Sequence, residues 1–150
     1  MKSILSTLLL IGGISAGSLA QAAIHTCAID TEDRRFATAY LASWRHAVTN
    51  TDDLAIESTY AESAVLMPPT DETVVGRDLI SDYFHQTRSD LRAGELNIDL
   101  VSCEKRGDAF HIAAVWGTEA GDGAWKSGNL LQILERADEG RWVTRYEIWN

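Results

Sequence analysis

The side chains through which this chain could move protons are the acids that fall on predicted strands, Asp99, Glu119 and Glu147, with His111 opposite them. A carboxyl or imidazole works as a general acid or base when its pKa is brought near the working pH, and that takes burial or a charged neighbour. Charged residues at alternate positions of an antiparallel sheet ordinarily point to water. Arg145 and Glu147 are therefore expected to share one strand face as a surface pair, and no residue is assigned as catalytic. Other chemistries lack their patterns. His25, His46, His85 and His111 show no HxH, HExxH or two-His-plus-carboxylate spacing, so no metal site is expected. GxSxG occurs only inside the expected leader, at Gly13 to Gly17, SxxK only at Ser102 to Lys105, and no Gly-rich phosphate loop occurs; the nucleophilic hydrolase and nucleotide-binding readings lack support, and no cofactor is expected. Gly76-Arg77 reads as a turn into a helix.

The stronger functional signal is aromatic. Tyr40, Trp44, Tyr60, Tyr83, Phe84, Trp116 and Tyr146, joined by Met67, fall at helix or strand spacings that can gather them on one side of the fold. Such a set either fills a core or lines an apolar cavity carrying a few phenol and indole donors, the usual make-up of a small-ligand pocket. The expected ligand is a small, largely apolar molecule.

The elements that must position these residues change character midway. Asp30 is a plausible N-cap, and Phe36, Tyr40, Trp44, Ala47 and Val48 recur at helical spacing to about Asn50. A short second helix is expected to open at Asp52 and run to Tyr60. A strand at Ala64 to Met67 ends at Pro68-Pro69, and Thr73-Val74-Val75 returns it. A third helix is expected from Arg77 to Leu91. After Gly94 the period drops from about 3.6 to 2, which marks sheet. Strands follow around Leu96–Leu100, Phe110–Trp116, Trp125–Arg136 and Arg141–Trp149, separated by Gly-containing turns. The last carries Trp142, Thr144, Tyr146 and Ile148 on one parity. Helices first and antiparallel strands afterwards define an α+β domain with helices packed on one sheet face. Leu130 and Leu134 lie on one parity of the third long strand, Leu131 and Ile133 on the other. A sheet apolar on both faces is expected to pair with a second copy, so a homodimer through the outer face is predicted.

Residues 1–22 read as a signal peptide: Lys2, an apolar run from Ile4 to Ile14, and the small residues Ala20 and Ala22 flanking Gln21. Cleavage would leave one domain, residues 23–150, in the periplasm or outside the cell, with no membrane attachment. Losing Lys2 would take the formal charge from -9 to -10. Such a balance argues against nucleic acid, whose phosphates must be neutralised by Lys and Arg. Two cysteines, Cys27 and Cys103, lie outside any CxxC pattern, and in an oxidising compartment they are expected to form a disulfide.

The stretch Tyr60-Ala-Glu-Ser-Ala-Val-Leu-Met-Pro-Pro69, then Val75-Gly-Arg-Asp-Leu-Ile80, with Asp52-Asp53-Leu54 upstream and Gly140 to Trp149 at the close, resembles the SnoaL-like, steroid-isomerase-like branch of the nuclear transport factor 2-like superfamily. SgcJ/EcaC-type proteins of that superfamily are similar to it. The resemblance implies a cone-shaped fold with N-terminal helices on a curved antiparallel sheet. It also places Met67 where steroid isomerases carry an acidic base, and Trp44 near their oxyanion-binding tyrosine. A thioether cannot abstract a proton. Three readings follow: an exported ligand-binding cone, a cofactor-independent isomerase, cyclase or lyase using another carboxylate, and a protein-interaction module. A strand acid pointing into an enclosed cavity, with a raised pKa, would favour the second over the first, and a cavity with only phenols and indoles the first. Filling of the cone by Trp44 and Trp116 would favour the third.

Overall fold

The computed structural model describes residues 27, 31–50, 52–69, 72–87, 96–119 and 123–150. The expected leader, Asp30, His25 and the expected end of the third helix lie outside the described residues. Helix α1 spans Glu32–Asn50. Its first turn is capped by Thr31, whose hydroxyl oxygen accepts from the Arg34 amide at 3.2 Å. Ala37, Leu41, Trp44, Ala47 and Val48 form its buried stripe. Helix α2, Asp53–Thr59, is capped by the Asp52 carboxylate, which accepts from the Ala55 amide. It runs straight into strand β1, Tyr60–Met67, which starts four residues earlier than the sequence pattern suggests.

Strand β2 is the two-residue return Val74–Val75. Gly76, at a left-handed φ of 102°, turns the chain into helix α3, Arg77–Thr87, which buries Ile80, Ser81 and Phe84. Four long strands complete the fold: β3 Asn97–Arg106, β4 Ala109–Glu119, β5 Trp125–Arg136 and β6 Trp142–Trp149. The six-stranded sheet has the order β2-β1-β6-β5-β4-β3. All neighbours are antiparallel except β1 and β6, which run parallel. The three helices pack on one face of this curved sheet, the expected α+β cone. Cys27 is bonded to Cys103 in β3, with Cα atoms 5.0 Å apart. Closing so long a loop stabilises the fold by about 4 kcal/mol through the unfolded chain.

The pairing of β5 with β6 contains the feature that decides the site. Ile133 faces Tyr146 but Leu134 faces Thr144, so Arg145 is an inserted residue, a β-bulge. The bulge breaks the period of two. Thr144 and Glu147, three apart, are both fully buried, whereas Tyr146 is 39% exposed. The single parity expected for Thr144, Tyr146 and Ile148 therefore does not hold. Strand β1 is irregular at the same level, its pairing with β6 shifting between Tyr60 and Val65. The Arg145 guanidinium spans the two irregularities by donating to the carbonyl and hydroxyl oxygens of Ser63, and it lies 3.8 Å from Glu135. On the outer face, Val101, Val115, Leu131 and Tyr146 are exposed, while Leu130 and Leu134 are buried beneath the helices. Among the described residues no helix is long and apolar enough to cross a membrane.

A buried carboxylate as candidate functional site

Glu147 is the one acid of the described residues with no exposed surface. The expectation that it pairs with Arg145 at the surface is overturned: the bulge turns Arg145 toward Ser63 and Glu147 toward the helices. Both carboxylate oxygens accept hydrogen bonds. Oε2 takes one from the Tyr60 hydroxyl at 2.7 Å and one from Gln132 Nε2 at 2.8 Å, and Oε1 takes one from Trp149 Nε1 at 2.5 Å. No cationic side chain among the described residues forms an ion pair with it.

Each donor is set by its element. Tyr60 is the first residue of β1, where α2 ends. Gln132 lies directly across from Glu147 on β5, and Trp149 is two residues further along β6 on the same face. Behind Tyr60, Trp44 Nε1 of α1 donates to the Tyr60 oxygen at 2.7 Å. An indole N–H can only donate, so the Tyr60 proton must point at Glu147. The file Trp44, Tyr60, Glu147 thus has one polarity.

Burial and hydrogen bonding act on Glu147 in opposite directions. Removal from water penalises the charged form, the hydrogen bonds favour it, and burial prevails: the carboxyl is raised from 4.5 to about 7. Burial, then the neighbouring charge of Glu147, holds the Tyr60 phenol well above its ordinary value, so it stays a donor. Tyr40 is likewise pushed up by burial. Its hydroxyl donates to the Thr59 carbonyl at 3.0 Å and lies 2.8 Å from Thr144 Oγ1.

The aromatic residues expected at the cone are only partly brought together. Trp44, Tyr60 and Phe84 are buried around Glu147, and Tyr40, Tyr83 and Trp116 pack against them, half-buried. Ring centroids lie 5.4 Å apart for Trp44 and Trp149, 5.4 Å for Trp116 and Trp149, and 6.2 Å for Trp44 and Phe84. At the level of Glu147 these rings pack against one another. Two residues are misplaced in the expected set. Tyr146 faces outward because of the bulge. Met67 is half-buried beside Ile148, while its neighbour Leu66 is the residue paired with Glu147. Asp99 and Glu119 are exposed and His111 is half-buried. His85 pairs with Asp53 at 2.6 Å.

Gln132, Thr144 and Trp149 were not anticipated. A signal for Gln132 exists, since it is the polar residue between Leu130 and Leu134 on the buried parity of β5. Three buried polar atoms on the inner face have no hydrogen-bond partner among the described residues: Trp116 Nε1, Thr118 Oγ1 and Gln132 Oε1. With Glu147 they give the cone interior more polar groups than its own packing satisfies.

No protein-family model matches the sequence, and no curated protein does. Solved structures do match. A ketosteroid isomerase-like protein from Erwinia carotovora atroseptica SCRI1043 superposes with a TM-score of 0.65 over 79% of this chain and 95% of its own, at 17% identity. An NTF-2 like protein of unknown function from Shewanella oneidensis MR-1 gives 0.61 over 75% and 93%, at 18% identity. A domain of unknown function with a cystatin-like fold from Nostoc punctiforme PCC 73102 gives 0.66 over 80% and 77%, at 15% identity. The fold is that of the nuclear transport factor 2-like superfamily.

The raised carboxyl makes stability depend on pH with a definite sign. Its folded-state pKa exceeds the unfolded value, so the native state holds the proton more tightly. This contribution is complete below pH 4.5 and is lost as pH rises through about 7. The whole loss amounts to about 3 kcal/mol. Urea denaturation at pH 5, 6, 7 and 8 is expected to show wild type weakening across this window and Glu147→Gln nearly flat; equal slopes in the two proteins would contradict the assignment.

Proposed function

We propose that this domain is exported and receives a small, largely apolar molecule in its cone, with Glu147 meeting the ligand's polar group. The observation that carries the reading is a fully buried carboxylate with three hydrogen-bond donors and no cation. A fold needing only a core would be better served by a leucine or methionine there, because burial disfavours the carboxylate, as its raised pKa shows. The unpartnered Gln132 Oε1, on the residue that bonds Glu147, supports the same reading, since it is an acceptor a bound molecule can satisfy. The Cys27–Cys103 disulfide fits an oxidising compartment. Native mass spectrometry of protein purified from its own compartment is expected to reveal a retained molecule of a few hundred daltons, absent from Glu147→Leu that remains folded by circular dichroism. Wild type that carries nothing, and whose melting temperature no apolar small molecule raises, would rule this out.

A second reading, cofactor-independent proton transfer, is favoured by one observation: the carboxyl sits near 7, where a group both takes and returns a proton at neutral pH. The ketosteroid isomerase-like structure above shares the fold, and the base here would be Glu147 on β6 instead of a residue on β1. Deuterium exchange into the retained molecule is then expected to be catalysed, to inflect near pH 7, and to fall by roughly 100-fold or more in Glu147→Gln. Binding without exchange would leave the first reading alone standing.

We further propose a homodimer through the outer sheet face, centred on Val101, Leu131 and Tyr146, which are 52%, 36% and 39% exposed. A stable pair needs about 800 Å² from each subunit. Light scattering is expected to give a dimer at micromolar concentration and a monomer for Leu131→Glu; a wild-type monomer would eliminate this interface.

A further inference from the structure

A separate feature lies on the outer face, at the end of the β4–β5 hairpin. Trp125 of β5 lies across Gly117 of β4. A Cβ added to Gly117 would come within 2.4 Å of the Trp125 ring, so any larger residue would push the indole off the strand. The ring is thus seated directly on the sheet, yet 60% of the residue is exposed. An exposed indole held flat against a sheet offers a face on which a ligand can stack.

What surrounds the ring defines its chemistry. Strand register places Asn97 and Ser127 on either side of Gly117, and Asp99 and Asn129 one step further along the same face. With Trp125 they line an open trough of about 440 Å³, within the range of about 300–1,000 Å³ typical of small-molecule sites. Asn129 is held in place, its side-chain amide donating to Asn150 Oδ1 at 2.9 Å. Among the described residues lining the trough Asp99 alone ionises. A phosphate, sulfate or carboxylate would meet only a like charge. A neutral polyol suits every group present: carboxylate, amide and hydroxyl exchange hydrogen bonds with ring hydroxyls, and the apolar C–H face of a pyranose covers the indole.

We infer that the trough binds a neutral pyranose unit of a carbohydrate. Asp99, Ser127 and Asn129 lie on the face of the sheet opposite Glu147, and the trough adjoins the outer-face patch proposed for pairing of subunits at Val115.

Affinity electrophoresis of the full mature chain in gels containing hydroxyethylcellulose, soluble starch or glycol chitin tests it. Wild type is expected to be retarded by at least one of the three. Trp125→Ala and Gly117→Val are expected to weaken that retardation by about tenfold, Trp125→Tyr to restore part of it, and Glu147→Gln to leave it unchanged. Absence of retardation in all three gels overturns the proposal, as does a Trp125→Ala variant that binds like wild type. Two further results also overturn it. If Trp125→Ala turns a dimer into a monomer in light scattering, the indole is a subunit contact. If tryptophan fluorescence responds to tetramethylammonium chloride but to none of the glycans, the trough is a cation site.

Discussion

The Glu147 carboxylate and its three donors constrain more of this molecule than any apolar contact does. Tyr60 has to stand at the junction of α2 and β1, Gln132 at the centre of β5, and Trp149 near the end of β6, and Trp44 fixes the first of these from α1. Four elements far apart in sequence meet at one acid. An apolar core tolerates sliding and repacking, whereas a buried charge tolerates neither, because each lost donor leaves part of it unsatisfied. The network therefore sets the register of the helices against the sheet as well as the chemistry of the cone.

The β-bulge at Arg145 makes this arrangement possible. With a regular period of two from Trp142 onward, Thr144 and Tyr146 would face the helices and Glu147 would face water. One inserted residue leaves Thr144 inward and exchanges the roles of Tyr146 and Glu147. Arg145 itself, carried to the edge of the distortion, covers the matching irregularity in β1 by bonding to Ser63. The site thus depends on two local departures from ideal sheet geometry lying side by side on paired strands, and bulges are commonly found where a side chain must be re-aimed.

This history explains what the sequence made legible. The order of helices and strands followed from hydrophobic period and turn residues, and Asp52 capped α2 as its type and place required. The fold class was readable for the same reason. Tyr40, Trp44, Tyr60 and Phe84 were recognisable as interior aromatics from helical spacing and position. Glu147 was readable as a strand acid but not as a buried one. Nothing in Trp-Val-Thr-Arg-Tyr-Glu-Ile-Trp announces an extra residue, since bulges are fixed by pairing with a neighbouring strand, which the local sequence does not contain. Tyr146 went to the wrong face by the same error. Gln132 shows the converse: a polar residue flanked by buried leucines was a visible anomaly whose partner could be found only in three dimensions.

The one-way order of donors from Trp44 through Tyr60 has a kinetic meaning. Indole nitrogen cannot receive a proton, so a proton released by Glu147 cannot travel outward along that line; it ends at a wall. Trp149 Nε1 and Gln132 Nε2 on the sheet side are likewise donors only, so a proton on Glu147 is held among nitrogens that do not receive it.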